Sequence, residues 1–180
     1  VLIENGDLYT PRHSGVQDLL LADGAIAKLG LVEPAALHSL GEQVTTIDAA
    51  GCIVVPGLID PHAHIIGAGG EDGFASRMPE ILLGQIVGAG VTTVVGLLGT
   101  DTTTRHVASL HAKASQLWDE GITAYLYTGG FELPPTTLTG SVMDDLVLID
   151  KVIGTGEIAI SDPRWIDPLL DPLAHIVVQT

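Results

Sequence analysis

The sequence predicts a parallel α/β architecture preceded by a small β-rich segment. Three observations carry this. Strand-like stretches at Ile53–Ile59, Val91–Leu98, Ile122–Tyr127 and Gly156–Ser161 alternate with stretches of helical spacing, the order that builds βα units. The first of these is an apolar run without polar alternation, the mark of a strand buried on both faces. The opening fifty residues instead hold short strands split by turn residues.

In chain order, Val1–Thr10 and Val16–Leu29 read as strands, the second pair hinged at Asp23-Gly24, a two-residue hairpin signal. Thr45–Ile47 adds a further short strand. The strand that begins at Ile53 continues to His64 and gives way to a glycine-rich loop, Gly67–Gly73. Ser76 is placed to cap a helix with Pro79 in its first turn and Ile81, Leu82, Ile86 and Val87 on its buried face. Val91–Leu98 is the second strand, with Gly99-Thr100-Asp101 as its carboxyl-end loop. A helix over Thr104–Glu120 sets Val107, Leu110, Ala114 and Leu117 on one side, and Gly121 stops it. Ile122–Tyr127 is the third strand and Phe131–Thr139 a proline-containing loop. Ser141 followed by Asp144 opens a helix reaching about Ile153, before the fourth strand at Gly156–Ser161 and a last helix over Pro168–Thr180.

Composition narrows the function classes. With 22 acidic and 7 basic residues the formal charge is -15, which disfavours nucleic acid and anionic membrane surfaces as partners. A single cysteine, Cys52, excludes an internal disulfide and suits a reducing compartment. No apolar stretch reaches the length of a membrane span and the first residues lack a basic signal-peptide region, so a cytoplasmic enzyme is the simplest reading.

The stretch with the most chemistry is Pro56-Gly57-Leu58-Ile59-Asp60-Pro61-His62-Ala63-His64. On a strand, Asp60, His62 and His64 share one face, so the two imidazoles can reach one metal ion at the strand's carboxyl end. The other histidines, His13, His38, His106, His111 and His175, lack ligand spacing. Read from the residues alone, Glu71 is a loop acid, Thr100 a turn former, Glu157 a strand-end acid and Arg164 an ion-pair partner for Asp162.

This stretch resembles the first-strand signature of the amidohydrolase superfamily, metal-dependent hydrolases built on a (β/α)8 barrel. Ile66–Glu71, Gly90–Asp101 and Leu138–Ser141, in that order, resemble the isoaspartyl (β-aspartyl) dipeptidases in particular. The resemblance implies the N-terminal half of such a barrel, residues 53–180, behind residues 1–52 of a composite side domain. A full barrel takes about 250 residues, so the expected partner of this chain is a C-terminal half of the same protein. That half would bring two more histidine ligands and the aspartate that shuttles the proton, so no general acid or base is expected in this segment.

The resemblance further implies a small dipeptide substrate, a homo-oligomer and two zinc ions per complete site, with a hydroxide between them attacking the β-amide. His62 and His64 would hold the more buried ion. Glu157 falls where the family usually carries a carboxylated lysine, and its carboxylate would bridge the ions directly. Glu71 matches the residue that holds the substrate's α-ammonium, Gly99 and Thr100 match substrate-contacting positions, and Arg164 matches the arginine that grips its carboxylate. Phe131 stands where a tyrosine hydroxyl commonly polarises the scissile carbonyl, which leaves that task to the metal alone, to Tyr125, Tyr127 or another group, or implies weaker activity on isoaspartyl dipeptides. Other amidohydrolase activities, a cyclic amidase or an N-acyl amino-acid deacylase, and a non-catalytic metal-binding homologue are the alternatives.

Overall fold

The computed structural model describes residues 1–39, 43–159 and 170–179. The chain divides into two compact units, Val1–Pro56 and Gly57–Thr180. In the first, β1 (Leu2–Tyr9) lies at the centre of a sheet, antiparallel to β2 (His13–Ala22), which pairs in turn with β3 (Ala25–Leu29). The hairpin closes at Asp23 and Gly24, both at positive φ (50° and 70°), the geometry a two-residue hairpin demands. After a short helix α1 (Pro34–His38), β4 (Thr46–Asp48) and β5 (Ile53–Val54) both run parallel to β1.

In the second unit, β6 (Leu58–Ala63), β7 (Val91–Gly96), β8 (Thr123–Thr128) and β9 (Val152–Thr155) form one parallel sheet in sequence order. The helices α2 (Leu83–Gly88), α3 (Val107–Asp119) and α4 (Val142–Leu148) connect them, and α5 (Leu170–Gln179) follows. This is the arrangement of a partial (β/α)8 barrel. Its core joins Leu110, Ala114 and Leu117 of α3 to Val94, Ala124, Leu126 and Val152 of the strands, all buried. The buried stripe of α3 therefore has the helical period read from the sequence.

Three expectations are corrected. Ile53–His64 is not one strand: Ile53–Val54 joins the sheet of the first unit, and β6 begins at Leu58, after Pro56-Gly57. Proline cannot donate to a ladder, and a Cβ on Gly57 would lie 2.0 Å from the Thr92 hydroxyl oxygen. Among the described residues Leu58 and Ile59 of β6 are exposed, at the edge of the four-stranded sheet. Ser76 caps no helix. It ends a 3-10 turn (Phe74–Ser76), after which Arg77 is extended, and the helix begins only at Leu83, behind an extended Leu82. Lastly, α4 ends at Leu148 and the fourth strand is Val152–Thr155, four residues earlier than expected. Ile160 and Ser161 of the expected strand lie outside the described residues. Among the described residues no helix is long and apolar enough to cross a membrane.

Candidate metal centre and its cavity

The carboxyl ends of the four parallel strands carry the site. His62 lies in β6 and His64 just past its end, their rings 5.5 Å apart and nearly perpendicular. Asp60 shares their face by period but serves the backbone, accepting the N–H of His62 at 3.0 Å. Two residues beyond β9, Glu157 turns its Oε2 toward both imidazoles, 3.6 Å from His62 Nε2 and 4.0 Å from His64 Nε2. One ligand atom from each of the three lies within 4.8 Å of the others. Donors around a tetrahedral zinc at about 2.1 Å sit about 3.4 Å apart, so both measured separations need only a small contraction to close on an ion.

The donor chemistry fits a borderline metal as well: two imidazole nitrogens and one carboxylate oxygen. The Nδ1 of His64 is buried and has no hydrogen-bond partner among the described residues. A cation on Nε2 would leave the proton on Nδ1 and fix the tautomer. That ring is held from behind by Gly99, where a Cβ would lie 2.5 Å from His64 Cε1, so Gly99 makes room for the imidazole.

His64 and Glu157 line a cavity of about 250 Å³ whose walls also include Gly99, Thr100, Glu71 and Phe131. Glu71 and Thr100, twenty-nine residues apart, meet there: the Thr100 hydroxyl donates to Glu71 Oε1 at 2.7 Å. Neither tyrosine weighed as a replacement hydroxyl lines it. The Tyr125 ring packs edge-on against Trp118, and Tyr127 lies against Gly154. Phe131 thus adds an apolar wall to the cavity. Arg164 lies outside the described residues.

Residues that sequence reading passed over brace these walls. Arg105, almost wholly buried, donates to the carbonyls of Ala68 (2.8 Å), Gly69 (3.2 Å) and Met78 (3.4 Å) and to Asp101 Oδ2 (3.3 Å). Arg77 reaches the same Asp101 oxygen at 2.7 Å. The glycine loop is folded tightly enough that a Cβ on Gly69 would lie 2.4 Å from the Ser76 carbonyl oxygen. Burial alone would raise the Asp101 carboxyl, but hydrogen bonds from the Thr104 hydroxyl and N–H and from Arg77, with the charge of Arg105, hold it far below the usual carboxylate range. Two signals pointed this way: Asp101 and Arg105 stand four apart, and the chain has only four arginines.

Asp145 plays the same part for the loop after β8. Fully buried, it accepts the Thr128 hydroxyl, the N–H groups of Leu138 (2.9 Å) and Thr139 (2.8 Å) and the Thr139 hydroxyl (2.7 Å). Desolvation raises its carboxyl, and these bonds more than reverse that and leave it lowered. A lowered folded value means stability present above the unfolded value of about 4 and lost as pH falls through the folded one. Asp145→Ala is expected to cost about 3 kcal/mol in denaturant unfolding, because each donor left unpaired costs about 1–3 kcal/mol. Asp145→Asn should flatten the fall of melting temperature below about pH 4; an unchanged pH profile would contradict the assignment.

A sequence profile of the amidohydrolase family matches residues 45–96. Two crystal structures of β-aspartyl dipeptidase from Fervidobacterium islandicum, one in complex with the β-Asp-Leu dipeptide, superpose over 99% of this chain at 44% identity with TM-scores of 0.91 and 0.92. The chain belongs to the amidohydrolase superfamily. It also resembles a D-hydantoinase of Geobacillus stearothermophilus, 33% identical across 81% of this chain. This amidohydrolase chain spans 46–48% of the solved dipeptidase chains and 28% of the hydantoinase. In barrels of this kind the chemistry sits at the carboxyl ends of the strands, which is where His62, His64, Thr100, Phe131 and Glu157 lie.

Proposed function

We propose that the protein hydrolyses the β-amide bond of isoaspartyl dipeptides at a metal centre to which this segment contributes His62, His64 and Glu157. The observation that carries the reading is the convergence of those three side chains, two of which, His64 and Glu157, line a cavity whose wall also holds the Glu71–Thr100 pair. The likeness to a β-aspartyl dipeptidase bound to β-Asp-Leu supports it.

The substrate's α-ammonium meets the Glu71 carboxylate, a charge-assisted contact for which Thr100 orients the acceptor. Gly99 and Thr100 approach the dipeptide through backbone and hydroxyl, and Arg164 takes its carboxylate in a two-pronged contact. Phe131 shields the scissile bond from bulk water without donating a proton. Glu157 offers two oxygens, enough to face two cations at once. A pair of zinc ions, when bound, supplies an activated water and polarises the carbonyl.

Turnover of β-Asp-Leu by the full-length, metal-loaded protein tests the reading. The identity to D-hydantoinase favours a cyclic amidase as the second reading, and faster turnover of a 5-substituted hydantoin or of dihydroorotate would establish it instead. Glu157→Ala is expected to release at least one metal equivalent and to lower kcat/KM by more than about 100-fold, beyond what loss of an outer partner of a metal site costs. Full metal content with full activity in that variant would refute the bridging role.

A further inference from the structure

We propose that Arg77 is a positioning residue, setting Glu71 against Thr100 and thereby the discrimination for a substrate's α-ammonium. The inference rests on the reading of Glu71 as the ammonium acceptor.

Glu71 and Thr100 sit on two separate loops, the glycine loop after β6 and the loop after β7. Glu71 is exposed and preceded by Gly69 and Gly70, both at positive φ. Arg77 spans the two loops. Its stem lies over Gly70, the residue before Glu71, so closely that a Cβ on Gly70 would come 3.3 Å from Arg77 Cγ. Its Nη1 donates across to Asp101 Oδ2 at 2.7 Å and to Thr104 Oγ1 at 2.6 Å. Asp101 is the residue after Thr100, and its other oxygen accepts the N–H groups of Thr103 (3.2 Å) and Thr104 (2.7 Å), which fixes the second loop.

One side chain therefore packs against one loop and is hydrogen-bonded to the other, on either side of the 2.7 Å Thr100–Glu71 hydrogen bond. Arg105 grips the same Asp101 oxygen but is almost wholly buried among carbonyls, so it serves the fold of the glycine loop. Arg77 keeps about a third of its side chain exposed and borders the cavity of about 360 Å³ that also has Glu71 and Thr100 in its walls. It can be altered without leaving a charge buried in the core.

The test compares two ligands of the full-length, metal-loaded protein: β-Asp-Leu, and N-succinyl-leucine, which has the same skeleton without the α-ammonium. Inhibition by N-succinyl-leucine against KM for β-Asp-Leu gives a discrimination ratio, expected to be at least about 10 in the wild type because a charge-assisted contact is at stake. Arg77→Met should bring the ratio close to about 1 by raising KM with kcat within about two-fold. Arg77→Lys should restore part of it, and Glu71→Gln should abolish it. Thr104→Val, which removes one of Arg77's two acceptors and the hydroxyl bond to Asp101 but keeps the Thr104 N–H on Asp101 Oδ1, should lower the ratio less and covers the case in which Arg77→Met does not fold. A ratio unchanged in Arg77→Met and Thr104→Val, with both ligands weakened equally, overturns the inference and leaves Arg77 a structural residue. A wild type that does not discriminate overturns the role of Glu71 and the inference with it.

Discussion

Replacing His64 by alanine is expected to lower kcat/KM by more than about 10³-fold, which is about 4 kcal/mol of transition-state stabilisation, and to strip metal from the site. The size follows from what the ring does. Among the described residues it is one of three side chains that converge, and its Nε2 lies 4.0 Å from the Glu157 oxygen that also faces His62. Removing it leaves one imidazole and one carboxylate, two ligands where a catalytic zinc ordinarily has three from protein. Stability should respond much less, because the ring is partly exposed. His106, exposed beside α3 and making no capping bond with its side chain, is the control: its alanine variant should keep both metal and rate. The comparison is made by metal analysis of dialysed protein alongside steady-state kinetics.

Gly99→Ala is expected to damage the same centre from outside it. Gly99 sits at φ 71°, and an alanine there costs about 1–2 kcal/mol from its backbone alone. The larger effect is on the site. The added methyl would lie 2.5 Å from His64 Cε1 and 3.1 Å from Nδ1. Carbon atoms do not approach that closely, and a ring fixed to a metal has no free rotamer to retreat into, so the imidazole must leave its place. A displacement on the order of 1 Å at a reacting centre costs up to about 100-fold in rate, and that is the loss expected, together with weaker metal binding in a competitive chelator titration. Wild-type affinity and rate in Gly99→Ala would mean that the ring's observed position is not the one that binds the ion.

Much of this arrangement is legible in the chain because it depends on period. The pairing of His62 with His64 follows from the two-residue repeat of a strand, and the buried face of α3 from the helical one. The Asp23-Gly24 hinge was visible because few residues tolerate its geometry. Glu157 is legible only through the family resemblance, since nothing in the period of β9 marks it. Its strand was misplaced because Val152-Ile153 is a short apolar run that suits a helix end as well as a strand.

What stayed hidden was contact between distant segments. Arg105 meets Ala68 thirty-seven residues away and Arg77 meets Asp101 twenty-four away, and no local pattern encodes such distances. The same holds for Gly99, whose sequence context suggests a substrate-facing turn while its structural neighbour is the His64 ring. The break at Pro56-Gly57 was open to reading from the proline alone, and the apolar run on either side of it concealed the change of sheet.

The central claim, that His62, His64 and Glu157 close on a common cation, is tested most directly by anomalous scattering from a zinc-loaded crystal of the full-length protein. The account predicts a metal peak bonded at about 2.0–2.2 Å to one nitrogen of each imidazole and to a Glu157 carboxylate oxygen. A peak bound elsewhere, or a zinc site that Glu157 does not touch, would contradict it.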